Sequence, residues 1–304
     1  MAPTTSLEHL ANPLVTAEQL QSLQEDDRSR GEDGQSSRYV QAILSQAAGV
    51  LLRLPQEVIA TSLVLLQRFW IEGHGQGHAA ADLKVSGTVL SLRIHRLRRI
   101  MQTASAASVY LAAKLSFTPV SPRSVCNTYG YLLSSSSSLP FINPTPLPPA
   151  SPPDPRSYYV SEGTYERERE RILLCESLIL SSIGFDVHVA LPHTLALTYL
   201  QALGVSSKKL ASRVLEHLNG GLLSPQLVYL THQPNALAVA AIYLAAKEVG
   251  VKLVDGNWWE VFDVEREDLG FLVLAFGSFE GFAVAEKEKW DNEAGNLRKL
   301  LKGG

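Results

Sequence analysis

An all-α fold of two similar helical bundles in tandem is what this sequence predicts, on three observations. Apolar residues recur at helical spacing through most of the chain, and the Val/Ile alternation of strands is almost absent. Proline and glycine cut the apolar runs into helix-length pieces. The pentapeptide Tyr-Leu-Ala-Ala-Lys occurs twice, ending at Lys114 and at Lys247, and each copy closes a run of small apolar residues. A helix that is apolar on every side sits at the centre of a bundle. Small residues there let the surrounding helices approach closely. Two such helices, each amid several others, indicate one helical unit written twice.

The elements follow in order. Residues 1–38 are polar, and Gln24–Ser37 is densely charged, so this stretch is expected to be a disordered arm with room for a short helix at Thr16–Leu23. Val40, Ile43, Leu44, Ala47, Val50, Leu51 and Leu54 mark one helix, and Val58 to Trp70 a second, ended by Gly73–Gly77. The first repeated helix covers about Ala104–Leu115, and Arg123–Leu133 follows it. The segment from Ser134 to Ser157 is Ser- and Pro-rich and is expected to be an extended surface loop, since proline fixes φ and removes a donor. Glu166–Ile183 starts with alternating Glu and Arg, continues apolar and ends at Gly184, a natural C-cap. Pro192–Leu203, Ser207–Asn219 (closed by Gly220-Gly221) and Ser224–Leu230 lead to the second repeated helix, Asn235–Val249. Asn257–Phe262 and Glu265–Phe276 complete the series.

Bulk properties exclude several functions. The formal net charge of −3 provides no global basic field for nucleic acid or an anionic membrane. Two cysteines, Cys126 and Cys175, are too few for a disulfide framework or a four-cysteine zinc site, and Cys175 is expected to be a reduced core residue. No uninterrupted apolar run reaches about 18 residues, and the first residues lack a signal-peptide pattern, so an intracellular soluble chain is expected. The nucleotide-binding, serine-hydrolase and zinc-protease motifs are missing. His74 and His78 are four apart but separated by Gly-Gln-Gly, a poor helical metal site; His188 and His193 suit packing or capping. No catalytic residue, metal or cofactor is expected.

Four stretches carry a family resemblance: LPQEVIATSLVLLQRFW (Leu54–Trp70), AASVYLAAK (Ala106–Lys114), ERILLCESLILSSIGFDVHVALPH (Glu170–His193) and QPNALAVAAIYLAAK (Gln233–Lys247). Over about Tyr39–Phe282 the chain resembles the cyclins. GFDVHVALPH after a long helix, with Trp258-Trp259 after the second LAAK, is similar to the cyclin L, K and T branch. The resemblance implies two cyclin boxes, at 39–190 and 191–282, followed by a polar tail at 283–304. It implies a regulatory subunit, nuclear and without chemistry of its own, that forms a heterodimer with a cyclin-dependent kinase in RNA polymerase II transcription or pre-mRNA splicing. It gives Lys114 and Glu176 as kinase contacts; beside them the residues themselves offer Leu115 and Phe117 as an apolar patch, so the expected kinase-binding surface is Lys114, Leu115, Phe117 and Glu176, backed by the helix through Arg68 and Phe69. The bare residues allow a second reading of the first two. Lys114 suits the negative end of its helix, and Glu176, amid apolar neighbours, needs a partner that either a neighbouring lysine or a kinase group would supply.

The chain departs from the pattern in two places. After Lys114, where most cyclins carry an acidic pair, it has Leu115-Ser116-Phe117-Thr118-Pro119. Lys84–Gln102 stands where the family needs only a short link, and reads either as an insertion whose Arg93, His95, Arg96, Arg98 and Arg99 form a solvated basic face, or as a translated intron. A transcription factor IIB-like protein would use the same boxes, but would bring a zinc ribbon that two cysteines cannot build. A helical scaffold without kinase binding is the other alternative.

Overall fold

The computed structural model describes residues 11–30, 34–75, 90–134, 137, 139, 159–254 and 256–302, with backbone alone at 26–30, 73–75, 90–101 and 293–302. Among them every regular element is helical: α1 (Ala17–Arg30), α2 (Gly34–Leu51), α3 (Gln56–Gly75), α4 (Leu90–Leu115), α5 (Pro122–Leu132), α6 (Glu162–Ser182), α7 (Pro192–Ala202), α8 (Lys208–Leu223), α9 (Val228–Thr231), α10 (Pro234–Val249), a 3-10 turn (Trp258–Phe262) and α11 (Arg266–Lys302).

The two repeated helices are the hubs. Around α4 pack α2, α3, α5 and α6; around α10 pack α7, α8, α9 and α11. The reason lies in side-chain size. Ala106, Ala107, Ala112 and Ala113 of α4 and Ala238, Ala240, Ala241 and Ala245 of α10 are buried, so four neighbours pack against each hub. Local signals set the ends. Ser121, Ser161 and Ser207 each accept a backbone N–H of the first turn, and Pro122, Pro192 and Pro234 occupy first-turn positions. Gly184 and Gly250 take the left-handed conformation just past α6 and α10.

Polar groups inside the first bundle are satisfied as a chain. Ser45 of α2, Ser105 of α4 and Tyr129 of α5 are buried and linked at 2.7 and 2.6 Å. One of the two apolar core clusters lies within the first bundle; the other spans both bundles and includes Leu63 and Leu66 of α3 with Leu218 and Leu222 of α8. Gln67 Nε2 donates across that seam to the Leu222 carbonyl at 2.8 Å.

Several expectations are corrected. The short helix expected in the arm is present as α1 but runs on to Arg30. Residues 11–16 run over the second bundle, where Val15 N donates to the Leu230 carbonyl at 2.9 Å, and α1 and the start of α2 follow. The polar tail is the far end of α11. Its Trp290 stacks on Tyr39 of α2 at 5.8 Å, and its buried Glu286 accepts a hydrogen bond from Ser36 at 2.5 Å. The first repeated helix starts at Leu90, so the second half of the 84–102 segment is helical; residues 84–89, and the side chains of Arg93 to Arg99, lie outside the description. Most of the Ser/Pro-rich segment also lies outside it, as does His78. Arg266–Asn292 of α11 is long and apolar enough by composition to cross a membrane, although Leu269, Leu272, Ala275 and Phe276 on its inner face are buried in the bundle.

Gly220-Gly221 does not end α8, which runs on to Leu223. The helix tolerates glycine there because the Phe276 ring occupies the space a Gly221 Cβ would fill, with the Tyr229 ring 3.4 Å from it. Gly221→Ala should therefore destabilise by about 1–3 kcal/mol, since two packed rings must shift. Gly163→Ala, whose Cβ would enter open space on α6, should stabilise by about 0.5 kcal/mol. Urea titration of both variants checks the pair.

Two histidines set a pH dependence. His193 Nε2 lies 3.1 Å from Asn219 Oδ1 at the seam between bundles, and His232 stacks on Phe271. Burial lowers both pKa values from 6.5, outweighing Asn219 and Glu57 at His193 and Asp268 at His232. The folded chain thus binds fewer protons than the unfolded one in this range. Stability is complete above the unfolded value of 6.5 and falls as pH drops below it, until the folded pKa values are passed. Thermal melts between pH 7.5 and 5 should show this fall, and His193→Gln should flatten it.

Candidate functional site

The rim of the first bundle carries the feature that stands apart from packing. Lys114 is the penultimate residue of α4, where its charge suits the helix end. Its Nζ donates to Glu176 Oε1 of α6 at 2.6 Å and lies 5.1 Å from the centre of the Tyr110 ring. The Glu176 side chain is 8% exposed and that of Lys114 45%. A carboxylate so deep needs a counter-ion, and the neighbouring lysine supplies it within the fold. Because the ammonium is half in water, the pair contributes about 1 kcal/mol at most. The lysine retains donor capacity towards the outside.

Apolar side chains flank the two residues along the chain. Leu115 follows it at the helix end and is exposed, and Phe117 is fully exposed at 105%. The loop holds Phe117 outward: Ser116 Oγ donates to the Ala113 carbonyl at 2.9 Å and accepts Thr118 N at 3.2 Å. On α6, Leu173 and Leu180 lie one turn to either side of Glu176, and Leu173 is exposed. Phe185, just past α6, is exposed as well, in the left-handed conformation. Exposed Leu115, Phe117 and Leu173, next in the chain to a half-open ion pair, suit a partner.

Arg68 and Phe69 do not stand on this surface. Arg68 is 6% exposed, and its guanidinium donates to the carbonyls of Asp186 at 3.2 Å and His188 at 2.7 Å and to Asn12 Oδ1 at 3.4 Å. Burial lowers its pKa, against the pull of Asp186. Phe69 is half-buried between the two core clusters. Arg68 braces the loop after α6 from behind. The residue that sequence reasoning missed is Asn12. Its side chain pairs with both backbone groups of Ala190 at 2.8 Å, while its own backbone pairs with the Gln233 amide at 2.9 and 3.0 Å. Nothing local in Ala-Asn-Pro marks it, because every partner is at least 56 residues away.

Both cysteines are free thiols, raised by burial to about 11 at Cys126 and about 12 at Cys175, so neither is a ready thiolate. Among the described residues no group of three His, Cys, Asp or Glu could hold a metal ion.

No protein-family model matches the chain. Cyclin-L2 of Mus musculus is 30% identical over 234 residues, which is 76% of this chain and 38% of that protein. A cyclin-L1-like protein of Schizosaccharomyces pombe is 28% identical over 248 residues, covering 80% of this chain and 82% of its own length. The chain thus spans well under half of cyclin-L2 but most of the yeast relative. Among solved structures, a chain of the yeast RNA Pol II CTD kinase CTDK-1 complex superposes with a TM-score of 0.61 at 14% identity, over 89% of this chain and 73% of that one. A chain of the CAK complex from Chaetomium thermophilum gives 0.54 at 15% identity, over 92% and 80%. Similarity to the L-type cyclins over most of the chain, on an all-helical fold with two repeated hubs, places this protein in the cyclin family, on its L-type branch.

Proposed function

We propose that this chain is the regulatory subunit of a cyclin-dependent serine/threonine kinase, that the rim around Lys114 and Glu176 is its kinase-binding surface, and that the pair acts in the nucleus in RNA polymerase II transcription or pre-mRNA splicing. The observation that carries this is the juxtaposition of a half-open, deep-set ion pair with a fully exposed phenylalanine held out by its own loop. The similarity to a chain of a CTD kinase complex supports the same partner class.

The mechanism follows from differential binding. A kinase whose mobile helix and activation loop sample inactive positions is held active by a surface that fits only the active arrangement. Phe117, Leu115 and Leu173 supply apolar area for a helix to pack on, and Lys114 offers its remaining N–H groups to a carbonyl or carboxylate of that helix. Glu176 keeps the ammonium in place. The kinase supplies all the groups that act in phosphoryl transfer.

Affinity purification of the tagged chain from nuclear extract, with mass spectrometry and a kinase assay on the eluate, tests this. A stoichiometric cyclin-dependent kinase with activity is expected. Recovery of polymerase or splicing components without any kinase would favour a scaffold, a reading supported by Leu115-Ser116-Phe117 standing where most cyclins carry an acidic pair.

A further inference from the structure

The outer face of α11 is apolar, open and built to match itself. Leu274 and Val284 on this face are 75% and 53% exposed. Gly270, Gly277 and Gly281 lie on the same stripe at helical spacing, and among the described residues nothing lies within 4 Å of where their Cβ atoms would be. Glycine weakens an exposed helix, and no close neighbour among the described residues requires it at these three places. The stripe ends in charges of opposite sign, Arg266 at one end and Glu288 at the other, about 33 Å apart along the helix.

Antiparallel pairing of two such helices that cross at Gly277 brings these positions opposite one another to within one residue. Leu274, three residues before the crossing, meets Gly281 of the second copy, four residues after it. Val284 meets Gly270, each seven residues from the crossing, and Arg266 meets Glu288, each eleven away. Each large side chain finds a glycine gap, and each charge its opposite. A two-fold interface requires this property, since each contact occurs twice with the roles exchanged. We infer that two copies of this chain associate through α11 in an antiparallel, two-fold pair centred on Gly277, closed at both ends by Arg266 and Glu288. The inner face of the helix stays in its own bundle, where Leu272 and Phe276 are buried. The surface around Lys114 belongs to the other bundle, so the inference stands whether or not a kinase binds there.

Light scattering of the purified full chain over a range of concentrations from about 1 to 100 µM tests it, because an interface one helix wide gives affinities on the order of micromolar. The expected result is a concentration-dependent dimer. Leu274→Asp should abolish it with unchanged circular dichroism and melting. Arg266→Glu should weaken it about tenfold, and Glu288→Arg in the same chain should restore it. Under a mild oxidant, Gly277→Cys should cross-link to itself and Gly270→Cys should not. A chain that stays monomeric throughout, or a dimer indifferent to Leu274→Asp and to the charge exchange, overturns the inference. So does a monomer that floats with phosphatidylcholine vesicles and loses this with Leu274→Asp, which would assign the face to lipid.

Discussion

Arg68→Met should lower the free energy of unfolding by about 3 kcal/mol, the largest effect expected of any single polar position in this fold. The guanidinium is buried and binds the Asp186 and His188 carbonyls and the Asn12 amide oxygen. Methionine replaces the volume of the stem but removes the charged donor from both carbonyls, and leaves Asn12 Oδ1 with the Ala190 N–H alone. Hydrogen bonds to a charged donor are worth roughly 1.5–3 kcal/mol each, and part of that loss is recovered as the loop relaxes. Asn12→Ala should give a smaller loss in the same direction, and the double variant should lose less than the sum, because both residues hold the same loop. Urea titration of the four chains measures the coupling. Additive losses would show that the residues 11–16 and the loop after α6 are held independently.

The second large effect is on partner binding. Phe117 is fully exposed and its loop is fixed by Ser116, so Phe117→Ala should leave stability unchanged within about 0.5 kcal/mol. If the rim binds a kinase, the same change should weaken the complex by on the order of 2 kcal/mol, a factor of roughly thirty, as for an aromatic at the centre of an interface. Lys114→Glu with Glu176→Lys keeps an ion pair inside the chain while reversing the charge presented outward. The doubly changed chain should therefore stay folded and lose the kinase, whereas Glu176→Lys alone sets two ammonium groups together and should destabilise by about 2–3 kcal/mol. Calorimetric titration with the kinase recovered from the purification reads both. Unchanged affinity in the Phe117→Ala chain and in the double exchange would remove the rim from the kinase interface.

Some of this was legible in the residues because it depends on neighbours a few positions apart. The small-residue hubs, the proline in the first turn of α7 and the left-handed glycine after α6 are all short-range signals, and they were read correctly; the caps at Ser121 and Ser161 are equally local but went unread. The reading erred where a residue answers to something far away. Gly220-Gly221 reads as a helix end, yet its glycines make room for Phe279 and Phe276, more than fifty residues on. The charged run before Tyr39 and the run after Phe282 both look solvated, and the structure joins them through Ser36, Tyr39, Glu286 and Trp290.

The candidate surface divides in the same way. Lys114 and Glu176 are visible in the sequence as a cation at a helix end and an acid among apolar residues, but a periodic pattern leaves open which partner each takes. They stand 62 positions apart, and only the packing of α6 on α4 decides that they pair with each other. Arg68 carries no local mark of burial, since arginine on a helix is ordinarily exposed; the loop after α6 and residues 11–16 close over it. By itself the sequence determined the helices, their order and the two small-residue hubs, because propensity, capping and 3.6-residue periodicity act within a few turns. Only the tertiary structure decided which charges are satisfied internally and which side chains are left facing solvent for a partner, because burial and hydrogen bonding are set by elements that meet across the fold.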